Sequence, residues 1–407
     1  MPERATRRGR ALEVLAVFLR LGLTSFGGPV AHLGHFRTEC VDRRRWLDDL
    51  AYADLVALCQ FLPGPASSQV GLGLGYLRAG VPGAIAAWLG FTLPSALAMV
   101  AFAIGVATVG DVQGAPWLAG LKIVAVAVVA HAVWGMATTL TPDAPRVTVA
   151  LVAAIVALQW PGALAQVAII AGGALVGLTW LRATGGAGGL RADATTFPAA
   201  VSPKAGGVLL AVFAVLLLLL PVAREASGSQ LVGVADAFYR TGSLVFGGGH
   251  VVLPLIQAEV VGTGWIDDAT FIAGYGAVQA VPGPLFTFSA FLGTAMAAGA
   301  PGIALAAVAL VAVFVPSFLL LLGVLPFWDA LRRRQGVRRA LVGVNAAVVG
   351  LLLAALYHPV WTSAVSGTRD VALVLAAYLA LAVWKLPPWL VVGLGATATA
   401  LLATLGP

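Results

Sequence analysis

The chain has 407 residues, of which 60% are hydrophobic and 10% charged, and its formal net charge is +7. That balance is too apolar for a soluble protein of this length and places the chain among polytopic membrane proteins. The positive charge does not point to nucleic acid, because the arginines gather at segment ends without interleaved aromatic residues, as membrane orientation requires.

The chain opens with a basic and then an apolar stretch, as in a signal peptide. Arg20 cuts the apolar stretch and no small-residue cleavage site follows, so the opening reads as an uncleaved first segment. Leu12 to Phe26 is about 15 residues, short of the roughly 20 that a spanning helix needs. Pro29 to Cys40 is too polar to face lipid, and a hairpin turning at Gly27 and Gly28 satisfies both facts. A second hairpin is expected at the Pro63-Gly64-Pro65 break, since two prolines around a glycine cannot sit inside a continuous helix. Pro82 to Ala107 then crosses fully; a larger number of shorter crossings is the alternative. Charge-free runs follow at Val147 to Leu181, Ala205 to Ala223, Ala269 to Trp328, Ala340 to Thr368 and Leu386 to Pro407. Cys40 and Cys59 have no metal-site spacing and read as small core residues.

Sliding the chain along itself reveals a repeat at about 220 residues. Phe18, Arg20, Gly22, Phe26, Gly27 and Gly28 fall on Phe238, Arg240, Gly242, Phe246, Gly247 and Gly248. The WLDD run at Trp46 falls on WIDD at Trp265, QFLPGP at Gln60 on QAVPGP at Gln279, and Pro94-Ser95 on Pro316-Ser317. The organisation expected is a first repeat at 1–181, a Gly-rich linker with one extra apolar segment at 182–230, and a second repeat at 231–407. The basic clusters swap sides between the halves: Arg43, Arg44 and Arg45 have no basic counterpart in 259–268, whereas the uncharged-to-acidic loop 111–120 has Arg332, Arg333, Arg334, Arg338 and Arg339 opposite it. Lys and Arg mark the cytoplasmic side, so the second repeat is expected upside down relative to the first. The fold class expected is an all-α polytopic membrane protein with two inverted repeats and broken or re-entrant helices.

An arginine at the centre of a membrane helix costs on the order of 3 kcal/mol, so Arg20 and Arg240 are expected to face a shared polar interior. Gly27 and Gly28, with Gly247 and Gly248 in the second half, supply tight turns at helix starts, whose free N–H groups favour oxyanions; Ser25 stands just before the first turn. Pro63, Gly64 and Pro65, with Pro282, Gly283 and Pro284, break the next helices. Gln60 and Gln279 precede these breaks, while Ser67, Ser68 and Gln69, or Thr287 and Ser289, follow them as hydrogen-bond donors. His32 and His250 follow the glycine turns at positions offset by two, and each is open to three readings: a donor to an anion, a proton carrier or a packing residue of the core. Lys122 opens a long apolar segment whose counterpart carries Asn345; an interfacial anchor and a substrate ligand are both open readings. The aspartates of WLDD and WIDD read as helix caps beside interfacial tryptophans. No enzyme constellation stands out, and no cofactor or metal is expected.

The runs SFGGPVAHLGHFRTECVDRRRWL, ALCQFLPGPASSQVGLGLGYLRAG, VFGGGHVVLPLIQ and AVQAVPGPLFTFSAFLG resemble the chromate transporter (CHR) family in its long, two-domain form. The resemblance spans nearly the whole chain. It implies a multi-pass plasma-membrane carrier, N-terminus cytoplasmic, that exports chromate and confers chromate resistance; sulfate or another oxyanion is the alternative substrate. A membrane enzyme acting on a lipid phosphate is the rival of another class. Expected partners are the lipid bilayer, chromate or a similar oxyanion, and a second copy in a homodimer; nucleic acid is not among them.

Overall fold

The computed structural model describes residues 7–26, 28–108, 116–160, 163–181, 201–245, 252–332 and 334–404. Gly27, Gly247, Gly248 and His250 therefore lie outside the described residues. The described chain is all α: α1 (Arg7–Thr24), α2 (Gly28–Arg37) with a π-helical extension (Thr38–Arg43), α3 (Asp49–Phe61), α4 (Ala66–Thr108), α5 (Pro116–Leu140), α6 (Ala144–Gln159), α7 (Ala163–Thr179), α8 (Pro203–Ser227), α9 (Gln230–Leu244), α10 (Val252–Val260), α11 (Asp268–Val278), α12 (Phe288–Ala295), α13 (Ala300–Val324), α14 (Trp328–Arg332), α15 (Gln335–Ala355), α16 (Thr362–Ala364), α17 (Thr368–Tyr378) and α18 (Pro388–Thr404). Among the described residues, five helical stretches are long and apolar enough to cross a membrane: Ala66–Thr108, Pro116–Leu140, Pro203–Ser227, Ala300–Leu331 and Gln335–Ala364. The chain is an all-α polytopic membrane protein.

The short helices fold back in pairs. Phe18 of α1 meets Phe36 of α2 with ring centroids 5.4 Å apart, and Glu13 near the start of α1 pairs with Arg44 beyond α2 at 3.4 Å. Those contacts are the rungs of a hairpin whose closed end carries Ser25 and Gly28. Its partner is α3 with the first arm of α4: Asp48 caps α3 by accepting from Ala51 N–H, and Gly73 of α4 lies against Leu55 of α3. Asp267 caps α11 in the same way through Thr270 N–H, and Gly274 of α11 packs on Phe291 of α12.

In each half the chain then reverses into a long helix. Within α4 the backbone leaves helical geometry at Ala79 and Gly80, with Gly80 at φ +70°, and Gly299 holds φ +69° ahead of α13. Beyond its kink α4 runs back along its own first arm, where Gly75 meets Gly83 and Ala87, and along α1, where Gly22 is seated on Gly90 and Phe91. It continues to Thr108, roughly 40 Å of helix at 1.5 Å per residue. Phe91 and Ser95 thus fall about midway along this arm, with the closed ends beside them. The later helices cross over between halves: α5 packs on α17 and α18, and α15 on α6 and α7. Glycines permit the close approach, with Gly120 against Gly395 and Gly343 against Gly173. Cys40 and Cys59 are buried free thiols, as expected for core residues.

Candidate functional site

The open ends of the first two hairpins share one charge cluster. Arg78, at the end of the first arm of α4, donates to Glu13 Oε2 at 2.8 Å and stands over the Trp46 ring at 5.5 Å. Arg44 donates to Glu39 Oε1 at 2.8 Å, and Arg43 to Glu39 Oε2 at 3.2 Å. The Arg44 bond holds the Glu39 carboxyl below its usual range, against the opposing effect of burial. In the second half Arg224 stands over the Trp265 ring at 5.3 Å and pairs with Asp236 at 3.3 Å and Glu259 at 3.4 Å. Arg240 joins both carboxylates, Asp236 on its own helix and Glu259 on α10 at 3.2 Å. Each half therefore ties its hairpin bases with an arginine–carboxylate network beside a tryptophan.

At the closed ends the two halves bond to each other through backbone. Gly64 N–H donates to the Val245 carbonyl at 2.6 Å, and Gly283 N–H donates to the Ser25 carbonyl at 3.0 Å. Ser25 matches Val245 and Gly64 matches Gly283 in the sequence repeat, so the two bonds are reciprocal. Gly64 has φ +119° and Gly283 φ +100°, conformations that glycine alone adopts without strain. A methyl on Gly64 would come within 3.0 Å of Ser317 Oγ, and one on Gly283 within 2.8 Å of Ser95 Oγ. The Pro94-Ser95 and Pro316-Ser317 dipeptides thus each flank the other half's Pro-Gly-Pro break.

Around these bonds lies a set of buried polar side chains. His32 Nδ1 is 3.4 Å from Ser67 Oγ, its ring stands edge-on to Phe91 at 5.1 Å, and it interacts with the Ser25 carbonyl. Gln69 Nε2 donates to the Pro63 carbonyl at 2.7 Å. Ser25 Oγ, Ser68 Oγ, Gln69 Oε1, Thr92 Oγ1 and Ser317 Oγ are buried without a hydrogen-bond partner among the described residues. Buried hydroxyls and amides in native proteins are normally satisfied, so unsatisfied ones concentrated at a helix break mark a place for a ligand or water. The first turn of α4 adds its free N–H groups.

Of the residues expected at the site, the structure gathers Ser25, His32, Pro63, Gly64, Pro65, Ser67, Pro282, Gly283 and Pro284, with Gly28 at the start of α2 at φ +75°. The other expected residues stand in differing surroundings. Gln60 is exposed at the end of α3, whereas Gln279 is half-buried beside Tyr275. Lys122 interacts with Asp267 at the start of α11, and Asn345 is half-buried on α15. Thr287 and Ser289 direct their hydroxyls to the Pro284 and Phe286 carbonyls of their own turn, so they are not free donors.

The arginine pair does not form one anion site. Arg240 is committed to Asp236 and Glu259, while Arg20 is exposed on α1 without an ion pair among the described residues. The reason is local: the position four residues before Arg20 is Ala16, where Arg240 has Asp236. Sequence reasoning missed Thr92, Ser95 and Ser317 as site residues, although the matched Pro-Ser dipeptides carried the signal for two of them.

Broken helices whose ends meet, with unpartnered hydroxyl and amide groups around the breaks among the described residues, have the form of a helical membrane transporter. The chain belongs to the chromate transporter family, whose model matches residues 12–178 and 232–400. It is 31% identical over 348 residues to a chromate transport protein of Pseudomonas aeruginosa, covering 84% of this chain and 79% of that one. It is 27% identical over 355 residues to a chromate transport protein of Cupriavidus metallidurans, covering 84% and 81%. A probable chromate transport protein of Synechococcus elongatus is 26% identical over 360 residues, covering 83% and 82%. No solved structure matches the chain.

Proposed function

We propose that the protein is a secondary transporter that carries chromate out of the cell across the plasma membrane and so confers chromate resistance. Two inverted repeats, 1–181 and 231–407, joined by a linker that includes α8, alternate access around the mid-depth breaks, with the N-terminus cytoplasmic. Family membership supports the substrate, and the swapped basic clusters support the inversion. The observation that carries the reading is the reciprocal pair of backbone bonds, Gly64 to Val245 and Gly283 to Ser25, amid unpartnered buried hydroxyls. In this reading the helix starts and hydroxyls bind the oxyanion, and Arg20, the cation nearest Ser25 along α1, adds long-range attraction. Arg224, Arg240, Asp236 and Glu259 on one side, and Glu13, Glu39, Arg44 and Arg78 on the other, act as the two gates.

The test is uptake of labelled chromate by purified protein in liposomes, with sulfate as competitor and with or without a proton gradient. Chromate flux above that of empty liposomes is expected, and everted vesicles should accumulate more than right-side-out ones. Protein that moves no oxyanion under any gradient would overturn the reading and favour the lipid-phosphate enzyme.

A further inference from the structure

Building on the transport reading, we infer that the oxyanion is bound by the first half's break alone, through Ser68 and Gln69 of α4 together with Ser317 reaching over from α13, and not by two equivalent half-sites. The repeat makes the comparison direct. With Pro63–Pro65 aligned on Pro282–Pro284, the residues Ser67, Ser68 and Gln69 fall on Phe286, Thr287 and Phe288.

In the second half every polar group of that turn is used. Thr287 Oγ1 donates to the Pro284 carbonyl at 2.9 Å and Ser289 Oγ to the Phe286 carbonyl at 2.7 Å. Phe286 and Phe288 fill the remaining space against Phe314 and Phe271, with ring centroids 5.9 and 5.1 Å apart. The helix start after this break is therefore apolar, with its hydroxyls satisfied inside their own turn, although Gln279 Nε2 ahead of the break is buried without a partner among the described residues.

The first half is the opposite. Ser68 is 4% exposed and Gln69 fully buried, and neither Ser68 Oγ nor Gln69 Oε1 has a partner among the described residues. Ser317 is also fully buried, and its Oγ has no partner among the described residues. Gln69 and Ser317 meet at one point of backbone, since a methyl built on Gly64 would lie 2.6 Å from Gln69 Nε2 and 3.0 Å from Ser317 Oγ, and Ser68 precedes Gln69 on the same first turn of α4.

An oxyanion only accepts hydrogen bonds, and this corner provides donors: two serine hydroxyls and the amide hydrogen of Gln69 left over from its bond to Pro63. The first turn of α4 begins at Ala66, so its N–H groups and positive dipole end add to the same corner. Gln69 Oε1 requires a donor in turn, which a water bound with the ion supplies. Ser317 belongs to the second half, so the site is complete only when the halves are engaged.

The experiment uses the full-length protein in liposomes with labelled chromate, alongside equilibrium dialysis of the detergent-purified protein. Ser68→Ala, Ser317→Ala and Gln69→Glu are each expected to raise KM for chromate roughly tenfold or more, the loss of a hydrogen bond to a charged group. Thr287→Val is expected to stay within about twofold of the parent, since its hydroxyl serves only its own turn. Dialysis should saturate at one anion per chain. Melting temperatures close to the parent's identify variants that are folded, and Ser68→Thr, which keeps the hydroxyl, should recover transport if Ser68→Ala loses it. A parent protein that transports chromate while the three variants keep its KM would overturn this inference and leave the transport reading standing. So would two anions per chain, or an equal loss in Thr287→Val. A parent that moves no oxyanion would overturn both.

Discussion

Gly283 N–H donates to the carbonyl oxygen of Ser25 at 3.0 Å, joining the Pro-Gly-Pro break of one half to the helix end of the other. Gly64 N–H does the same to Val245 at 2.6 Å. Proline cannot donate and a helix start leaves its first N–H groups unpaired, so the glycine is the one residue inside the break with a donor to place. At membrane depth water is scarce, and an unpaired backbone group costs several kcal/mol. The two halves therefore complete each other's backbone.

Replacing either break glycine should be damaging for two reasons that add. An L-residue forced into left-handed backbone loses roughly 1–2 kcal/mol, and the new Cβ of Gly283→Ala would meet Ser95 Oγ at 2.8 Å and the Phe91 carbonyl at 3.0 Å. Thermal melting in detergent should fall for Gly283→Ala and Gly64→Ala, whereas Gly34→Ala, which meets open space, should melt like the parent. Equal melting of all three would contradict the backbone assignment.

The crossed packing of α5 on α17 and α18, and of α15 on α6 and α7, makes each half incomplete without the other. Co-expressed fragments 1–181 and 203–407 should purify together as one folded complex, while either fragment expressed alone should be degraded or aggregate. A folded fragment 1–181 recovered alone would contradict this dependence.

Asp236 is 2% exposed by its side chain and serves two arginines that are each about a quarter exposed. Asp236→Asn should cost on the order of 2–3 kcal/mol, below the figure for a fully buried pair because the arginines retain some solvent. Adding Arg240→Gln should recover part of that loss by removing an uncompensated cation. Strictly additive losses in the double variant would show that the two residues act apart.

The pH dependence of the other network follows from Glu39, whose carboxyl the Arg44 bond holds below its usual range. A lowered native value means stabilisation that is complete above the unfolded value of about 4.3 and disappears as pH falls through the native value. The melting difference between the parent and Glu39→Gln should therefore stay constant from about pH 8 to 6 and close below about pH 4. A difference that widens on acidification would contradict the Arg44 contact.

Local chemistry made much of this legible in advance. Proline–glycine–proline runs state where helices must stop, Asp48 and Asp267 announce the starts of α3 and α11, and a helix too short to span implies a return. The fate of the arginines was not legible by matching positions, because their difference lies in the neighbours: Asp236 stands one turn before Arg240, and Ala16 one turn before Arg20. Nor did similarity between halves disclose which break is polar, since that depends on whether each hydroxyl finds a carbonyl within its own turn. Ser317 belongs to the first half's break only through the packing of α13, a relation with no local trace.

The reversals at Gly80 and Gly299 place each long helix alongside the hairpin arm that precedes it, so that arm and helix are neighbours along the chain as well as in space. In the proposed alternating cycle, the two linked Gly–carbonyl bonds at the closed ends are the points where one such unit must release the other. Away from water those bonds have no substitute, so in that cycle the units part as water arrives to take over both carbonyls. Hydration of the centre and admission of the ion are on this account a single event, and a variant that keeps the centre dry should hold the carrier shut without altering a single ligand.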